Sequence, residues 1–240
     1  DGLEMGRAQV MQAEAAGIAP DIRMNPILLK PTTDTGSQVI VMGEVLGDMD
    51  ARKYFAYKKS LMPMVLEAYS SLAAENDIIV IEGAGSPAEV NLRAGDIANM
   101  GFAAAVGVPV VLVADIERGG VIAGLVGTWA VLEPEERTRL RGYIVNKFRG
   151  DLRLFEDGLR IITERTRLFS FGVVPWFEGA RLLPAEDAVV LDQRRPVVIA
   201  GQPIRVAVPR LPRIANFDDL DPLIAEPDVA VLFVPPGQPL

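Results

Sequence analysis

One stretch, residues 77–100, combines carboxylates and glycines at a spacing that could hold a metal ion beside phosphates. The β-branched run at 77–81 is typical of a strand buried on both faces of a parallel sheet, and Glu82 follows it directly. Gly83 and Gly85 allow a sharp turn beside this acid, and Asp96 brings a second carboxylate before the next apolar segment. Because ligands bind at the carboxyl ends of strands in open α/β sheets, Glu82 is a candidate binding residue.

Magnesium is the metal that this pattern favours. It prefers oxygen ligands and typically takes one or two carboxylates together with phosphate oxygens. In the structural alternative, Glu82 only caps a strand and the neighbouring glycines only form a turn. The residue types and their spacing leave both interpretations open.

Polar or conformationally special residues end four of the predicted strands. These residues are Glu82, Asp115, Asn146 and Pro175, which follow apolar runs at 77–81, 108–114, 143–145 and 171–174. The carboxyl ends of parallel strands meet at one edge of a sheet. We therefore expect a ligand site along this edge, since random surface polarity would not favour it.

Two charged residues near the start of the chain are further candidates. Lys30 lies beside threonines on a loop between two predicted strands, where it could approach an anionic ligand or simply be solvated. Glu4 lies three residues before Arg7 on a predicted helix. It would be either half of a solvated ion pair or a second acid directed at a metal, and the residues alone favour the ion pair.

Strand-like and helix-like patterns alternate along the chain. Beyond the four strands above, strands are predicted over the apolar run that ends at Lys30 and over 39–41, and helices over 1–17, 51–75, 121–132 and from 152 onwards. Pro63 marks a kink or a helix start within 51–75. Strands that alternate with helices indicate βαβ units, so the predicted fold class is α/β with a doubly wound, mostly parallel sheet.

Composition and charge exclude several functional classes. The net charge of −8 argues against a nonspecific nucleic-acid binder, which needs a basic surface to neutralise phosphates. The 240 residues contain no Cys and no His, so thiol nucleophiles, thiolate metal sites and imidazole bases are absent from them. Chemistry here must depend on carboxylates, Lys and Arg, hydroxyls, amides and a bound metal. The sequence leaves the oligomeric state open, and a homo-oligomer is compatible with it.

Residues 97–114 carry no charge and reach the length at which a membrane span is considered. Gly101, Gly107 and Pro109 interrupt them, so we predict a helix followed by a strand and no membrane association. No signal peptide is visible at Asp1, and a cytoplasmic location is predicted. The missing initiating Met predicts that the gene begins further upstream.

The composition changes after residue 178. Residues 1–178 form the predicted main domain, and residues 179–202 are rich in acids, arginines and prolines and form a predicted linker. Residues 203–240 read as strand, short helix and strand, which is too little for an independent core. We therefore expect them to be the start of a second α/β domain.

Six strings, in order along the chain, are specific enough to indicate a family. They are Asp1-Gly-Leu-Glu-Met-Gly-Arg-Ala-Gln, Met24-Asn-Pro-Ile-Leu-Leu-Lys-Pro, Glu82-Gly-Ala-Gly-Ser-Pro-Ala-Glu-Val-Asn-Leu, Asp96-Ile-Ala-Asn-Met, Val113-Ala-Asp-Ile-Glu-Arg-Gly-Gly-Val and Asn146-Lys-Phe-Arg-Gly-Asp. Together they resemble the cobyric acid synthases, the glutamine-dependent amidotransferases of the cobalamin pathway. The later string Leu211-Pro-Arg-Ile-Ala-Asn-Phe-Asp-Asp-Leu resembles the family's entry into its glutaminase domain.

The resemblance implies an ATP-dependent ligase with a P-loop NTPase core similar to that of dethiobiotin synthetase. Such an enzyme would amidate the b, d, e and g carboxylates of adenosylcobyrinic acid a,c-diamide, a corrinoid, with ammonia released from glutamine. The implied route passes through an acyl phosphate that ammonia displaces. Residues 1–178 would then be the amidoligase core, and residues 203–240 would begin the glutamine amidotransferase domain.

The resemblance also implies roles for individual residues. Glu82 and Glu4 would hold the magnesium ion that bridges the phosphates of ATP. Asn146 would recognise the adenine base through its amide, which offers both a donor and an acceptor. Asp96 would lie near the corrinoid carboxylate or the incoming ammonia, with Lys30 as a further catalytic candidate. The remaining implied contacts of the nucleotide are Asp115, Arg118 and Pro175.

Two departures and two alternatives qualify this interpretation. The phosphate-binding pattern G-x-x-x-x-G-K-[ST] does not occur in these residues, and neither do the Cys and His of a glutaminase. We expect the phosphate loop upstream of Asp1, and we expect the 240 residues alone to be inactive and to bind ATP poorly. The related cobyrinic acid a,c-diamide synthases are one alternative. A non-catalytic nucleotide switch similar to the partition ATPases is the other.

Overall fold

Residues 2–33, 36–183, 203–211, 214 and 217–238 are described by a computed structural model of the chain. The chain divides into two units, Asp1–Phe177 and Glu178–Leu240, and each is considered by itself. The helices of the first unit are α1 (Arg7–Ala15), α2 (Ala51–Tyr57), α3 (Met62–Glu75), α4 (Met100–Val106), α5 (Val121–Val131), α6 (Pro134–Arg137) and α7 (Glu156–Thr166). Its strands are β1 (Ile27–Pro31), β2 (Gly36–Val41), β3 (Glu44–Asp50), β4 (Val110–Asp115), β5 (Leu140–Phe148) and β6 (Phe169–Pro175).

An antiparallel sheet follows α1, with the strand order β1-β2-β3. The strands predicted on either side of the Thr/Gly loop are confirmed as β1 and β2, but β3 was not predicted. Three acids and a glycine make its sequence a poor match to the β-branched and aromatic pattern of strands. Met42 and Gly43 form the two-residue turn into β3, both with positive φ, as a tight hairpin of this kind requires.

The helical segment predicted over 51–75 is confirmed in two parts. The Asp50 side chain accepts a hydrogen bond from the backbone N–H of Lys53 (2.8 Å) and caps the N-terminus of α2. A 3-10 turn, Lys58–Leu61, then leads into α3, whose first turn contains Pro63. The proline therefore marks a helix start, where its missing N–H costs no intrahelical hydrogen bond.

A parallel sheet with the order β4-β5-β6 forms the core of the first unit. Helices α5 and α7 connect its strands in βαβ fashion, so the prediction of an α/β fold with a parallel sheet is confirmed. Tyr143 and Val145 of β5 are completely buried, as is Ile162 of α7. The Tyr143 hydroxyl donates to the carbonyl of Leu159 (3.0 Å) and lies 3.2 Å from the Thr163 hydroxyl, which fastens α7 to β5.

The strand predicted at 77–81 is not a strand, and the prediction of burial there is wrong. These residues have no regular secondary structure and pair with no strand in the described part of the chain. Ile78 is 81% exposed and Val80 is 92% exposed. A strand requires a hydrogen-bonded neighbour, and an apolar sequence alone does not supply one. Glu82 consequently follows an unpaired segment without regular secondary structure.

β4 also differs from the prediction of a fully buried strand. It pairs with β5 on one side, and on its other side no strand of the described residues lies against it. Val113 is 63% exposed as a result. The uncharged segment at 97–114 forms α4 and then β4, as predicted, and Gly107 ends α4 in the left-handed conformation. None of the described helices combines the length and apolarity needed to cross a membrane.

The second unit contains a parallel strand pair, β7 (Ile204–Pro209) and β8 (Val229–Val234). Between them lie a 3-10 turn, Phe217–Leu220, and the short helix α8 (Asp221–Ile224). The predicted order of strand, short helix and strand is therefore confirmed. Of the predicted linker 179–202, residues 184–202 lie outside the described residues. The functional roles assigned to the two domains stay predictions.

Candidate functional site

The carboxyl ends of β4 and β5 bring Asp115 and Asn146 side by side, because these two residues are partners in the parallel register. The ammonium group of Lys147 lies 2.7 Å from one Asp115 carboxylate oxygen. The other oxygen accepts the backbone N–H of Glu117 at 2.7 Å. Asp115 therefore ties together the ends of both strands and the loop that leads to α5.

Asp115 is held in its charged form. The hydrogen bond from Lys147 lowers the pKa of the Asp115 carboxyl below its ordinary value, and the Glu117 N–H and the nearby Arg118 act in the same direction. Partial burial raises the pKa, but by less than the Lys147 hydrogen bond lowers it. Arg118 itself is exposed and adds positive charge at this edge of the sheet.

The backbone at Asn146 and Lys147 has an unusual geometry. Lys147 has φ 61°, in the left-handed region that a lysine rarely adopts. The Asn146 side-chain oxygen accepts the Lys147 backbone N–H at 2.8 Å, which is a local interaction that stabilises this turn. The Asn146 NH₂ group donates to no other residue in the described ranges. It is therefore available to a ligand at the rim of the sheet.

Pro175 completes this edge. It is the register partner of Phe148, and the N–H of the following Trp176 donates to the Phe148 carbonyl at 2.8 Å. The guanidinium of Arg149 lies 3.5 Å from the centre of the Trp176 ring, a cation–π contact, and 3.3 Å from a Glu117 carboxylate oxygen. The indole nitrogen of Trp176 is buried and has no hydrogen-bond partner among the described residues.

The loop around Glu82 makes contacts of its own, different from those of Asp115, Asn146 and Pro175. Glu82 is exposed and accepts a hydrogen bond from the Gln12 side chain of α1 at 3.1 Å. The Asn99 side chain donates to the Ala84 carbonyl at 2.6 Å and occupies the space where a Cβ on Gly83 would lie. The predicted room beside Glu82 is thus filled, at Gly83, by Asn99. Gly85 adopts φ 71°, which confirms the predicted sharp turn.

Glu4 and Lys30 form an ion pair between the segment before α1 and strand β1. The described ranges contain no group of three or more Asp and Glu side chains that could hold a metal ion. A magnesium site made from one or two carboxylates and phosphate oxygens needs fewer protein ligands than that. Glu82 and Glu4 therefore have the right chemistry for such a site, although each already has a partner of its own.

Asp96 acts as a backbone anchor. One of its carboxylate oxygens accepts the N–H groups of Ala98 and Asn99 at 2.9 and 3.0 Å, and the other accepts that of Gly101 at 2.8 Å. This arrangement fixes the entry into α4. The predicted role of Asp96 beside the corrinoid stays a prediction.

The structure thus brings Asp115, Asn146 and Pro175 to one edge, while Glu82 contacts Gln12 and Glu4 contacts Lys30. Sequence reasoning missed Gln12, which contacts Glu82. It also missed three residues at the edge where β4, β5 and β6 end, namely Lys147, Arg149 and Trp176. Lys147 could have been found, since it directly follows Asn146 at a strand end. The contact between Arg149 and Trp176 joins the residues that follow β5 and β6. It could not be predicted, because the two residues are far apart in the sequence.

The parallel α/β sheet is consistent with a P-loop NTPase-like fold, and the family described as "AAA domain" matches residues 51–180. The chain belongs to this family. Beyond the family, it is similar to proteins named cobyric acid synthase. One from Brucella anthropi is 58% identical over 99% of the chain, and one from Sinorhizobium medicae is 57% identical over all of it.

A third, from Methylorubrum populi, is 56% identical, again over the whole chain. The resemblance inferred from the sequence strings is thereby confirmed. The chain spans about half the length of these relatives, 49% in each case. No solved structure was found to match the chain.

Proposed function

We propose that the chain is part of an ATP- and magnesium-dependent amidoligase that converts adenosylcobyrinic acid a,c-diamide to cobyric acid. The observation that carries this proposal is the similarity to cobyric acid synthases, which extends over essentially the whole chain. Glutamine would supply the ammonia through a domain that residues 203–240 begin. The cytoplasmic location expected from the sequence is part of the same proposal.

The rim of the parallel sheet is the proposed place of the nucleotide. The available NH₂ group of Asn146 would donate to a ring nitrogen of the adenine. Pro175 and the Arg149–Trp176 pair would border the base, and Arg118 would add positive charge near the phosphates. Membership of the AAA domain family supports nucleotide use of this kind.

Glu82 and Glu4 are the proposed magnesium ligands. When bound, the ion would neutralise part of the phosphate charge during phosphoryl transfer. Glu82 would exchange its Gln12 contact for the new ligand, and Glu4 would turn from Lys30. Lys30 would then be left to attract an anionic substrate carboxylate.

The proposed reaction has two steps. A substrate carboxylate oxygen attacks the γ-phosphorus of ATP, so that ADP leaves and an acyl phosphate forms. Ammonia then attacks the acyl carbon, phosphate leaves, and the amide loses a proton to a nearby base. Asp96 is the candidate for this second step, and the three N–H groups that it accepts would hold it in position.

The test uses the full-length enzyme with the a,c-diamide, ATP, magnesium and ammonia, with amide formation followed by mass spectrometry. Glu82→Gln should lower kcat about 100-fold or more, because it removes a metal ligand. Glu89→Gln, in the same loop, removes an exposed carboxylate that has no proposed role, and it should retain activity.

Three results would contradict the proposal in different ways. ATP hydrolysis by the wild type without amidation would favour the nucleotide switch. Amidation of cobyrinic acid but not of its diamide would favour the related synthase. Equal activity of Glu82→Gln and Glu89→Gln would remove Glu82 from the metal site. Separately, we expect the 240-residue chain to bind ATP weakly, and micromolar or tighter binding in calorimetry would refute that.

A further inference from the structure

Residues 52–59, which we call the basic aromatic segment, are positively charged, whereas the chain as a whole is negatively charged. The segment carries Arg52, Lys53, Lys58 and Lys59 and no acid, in a protein with a net charge of −8. None of these four cations forms an ion pair with a carboxylate in the described ranges. Cations that are unpaired and grouped together attract anions, because no neighbouring carboxylate neutralises them.

Aromatic side chains lie among these cations. The segment comprises most of α2 and the start of the 3-10 turn after it, and Phe55 and Tyr57 are each 37% exposed. The Lys58 ammonium lies 4.5 Å from the centre of the Phe55 ring. Exposed aromatics next to cations form a surface that contacts flat apolar groups and charged groups together.

A shallow cavity of about 550 Å³ lies beside this segment, lined by Asp48, Met49, Lys53, Ala56 and Tyr57. Asp48 accepts the Thr32 hydroxyl at 3.4 Å, so its carboxylate already has a local partner. The Lys53 ammonium has no such partner in the described ranges. The cavity therefore offers a cation, an aromatic ring and a thioether to a ligand.

Asp48, which lines the cavity, shares one face of the sheet with the catalytic candidate Lys30. In the antiparallel sheet Lys30 is opposite Gln38, and Gln38 is opposite Asp48, so all three side chains lie on one face. Two strand spacings, roughly 10 Å, separate Lys30 from Asp48. On the other side, the Lys59 stem packs over Gly95, next to Asp96, where an added Cβ would lie 2.6 Å from the Lys59 Cγ.

We propose that the basic aromatic segment and its cavity bind the corrinoid substrate, a proposal that rests on the function proposed above. The corrinoid ring is broad and flattened, and carboxylates and carboxamides surround its edge. Tyr57 and Met49, which line the cavity, contact the ring, while Lys53 pairs with an edge carboxylate. A carboxylate at the edge of the bound ring then lies on the side of the sheet that carries Lys30.

The full-length enzyme provides the test. Lys53→Gln should raise the KM for the a,c-diamide about tenfold, with the KM for ATP almost unchanged. Equilibrium dialysis without ATP should show the same loss of corrinoid affinity. Added salt should weaken corrinoid binding by the wild type more than by the variant, because the variant has fewer charge pairs to screen.

Two matched variants complete the design. Arg141→Gln/Arg165→Gln removes two exposed cations elsewhere in the same unit and should leave corrinoid affinity unchanged. Lys53→Arg keeps the charge and should restore most of the affinity. The inference is overturned if the glutamine variant binds the corrinoid as tightly as the Arg141/Arg165 control. A wild type that never amidates the corrinoid would instead overturn the proposed function.

Discussion

Strand β5 and residues 77–82 are similar in composition and opposite in environment. Both contain runs of β-branched apolar residues. In β5, Tyr143 and Val145 have no exposed surface, because β4 and β6 pair on either side and α7 covers one face. In residues 77–82, Ile78 and Val80 are 81% and 92% exposed, and no strand of the described residues pairs with them.

The difference shows that an apolar run specifies a preference for extended structure but not the neighbours that bury it. Burial is what converts such a run into stability, since each Å² of apolar surface removed from water contributes about 25 cal/mol. The same substitution made in both regions therefore shows how much of its effect on the free energy of unfolding comes from burial rather than from residue type. Trp129 and Trp176 both belong to the first unit, so their fluorescence reports its unfolding.

The largest expected effect comes from isoleucine truncation. Ile162→Ala should lower the free energy of unfolding of the 240-residue chain by about 3 kcal/mol, because Ile162 of α7 is fully buried in the cluster around β5. Ile78→Ala should change it by no more than about 0.5 kcal/mol. Urea titration followed by tryptophan fluorescence measures both. Comparable losses in the two variants would show that residues 77–82 are packed in solution.

A smaller effect is expected for valine truncation. Val145→Ala removes two methyl groups from the middle of β5 and should cost about 2 kcal/mol. Val80→Ala should leave the melting temperature within about 1 °C of the wild type, because its side chain already contacts water. Thermal unfolding distinguishes these outcomes, and a melting temperature lowered equally by both changes would contradict the difference in burial.

Much of the parallel sheet could be predicted from the sequence. Its strands are short apolar runs separated by helical patterns, and local periodicity is enough to identify them. Strand β3 could not be predicted, because its acids and glycine resemble a loop and its pairing depends on a tight turn at Met42 and Gly43. The exposure of Val80 could not be predicted either, since it depends on which strands lie alongside.

Some contacts of the candidate site could likewise be predicted from the sequence, and others could not. Asp115 and Asn146 end adjacent strands, so parallel register alone predicts that they meet. Glu82 contacts Gln12 of α1, about which strand-end reasoning gives no information. The roles proposed for Asp115, Asn146 and Glu82 stay predictions.

Buried and exposed positions can also be compared for a polar group, the tyrosine hydroxyl. Tyr143→Phe removes the hydroxyl that bonds to α7 in a fully buried position, and it should cost about 1 kcal/mol. Tyr57→Phe, on the partly exposed surface of α2, should have little effect on stability. Urea midpoints compare the two variants directly. A Tyr143→Phe variant as stable as the wild type would mean that the hydroxyl does not hold α7 against β5.

The smallest expected effect concerns the edge where β4 and β5 end. Since Lys147 lowers the pKa of Asp115, this ion pair contributes its full stabilisation at neutral pH and loses it as the pH falls through that lowered value. Because both side chains are partly exposed, the contribution should be about 0.5 kcal/mol. The difference in unfolding free energy between the wild type and Asp115→Asn should therefore shrink as the pH falls below 3.8, the ordinary pKa value for an aspartate.

Lys147→Gln is the matched variant for this last experiment, because it removes the partner and keeps Asp115. Its stability should converge with that of the wild type over the same acidic range. Residues 77–82 have no equivalent pair, since Glu82 is bonded only to the neutral amide of Gln12 in the described residues. If Asp115→Asn followed the wild type in parallel at every pH, the Lys147 contact would not join the ends of β4 and β5 in solution.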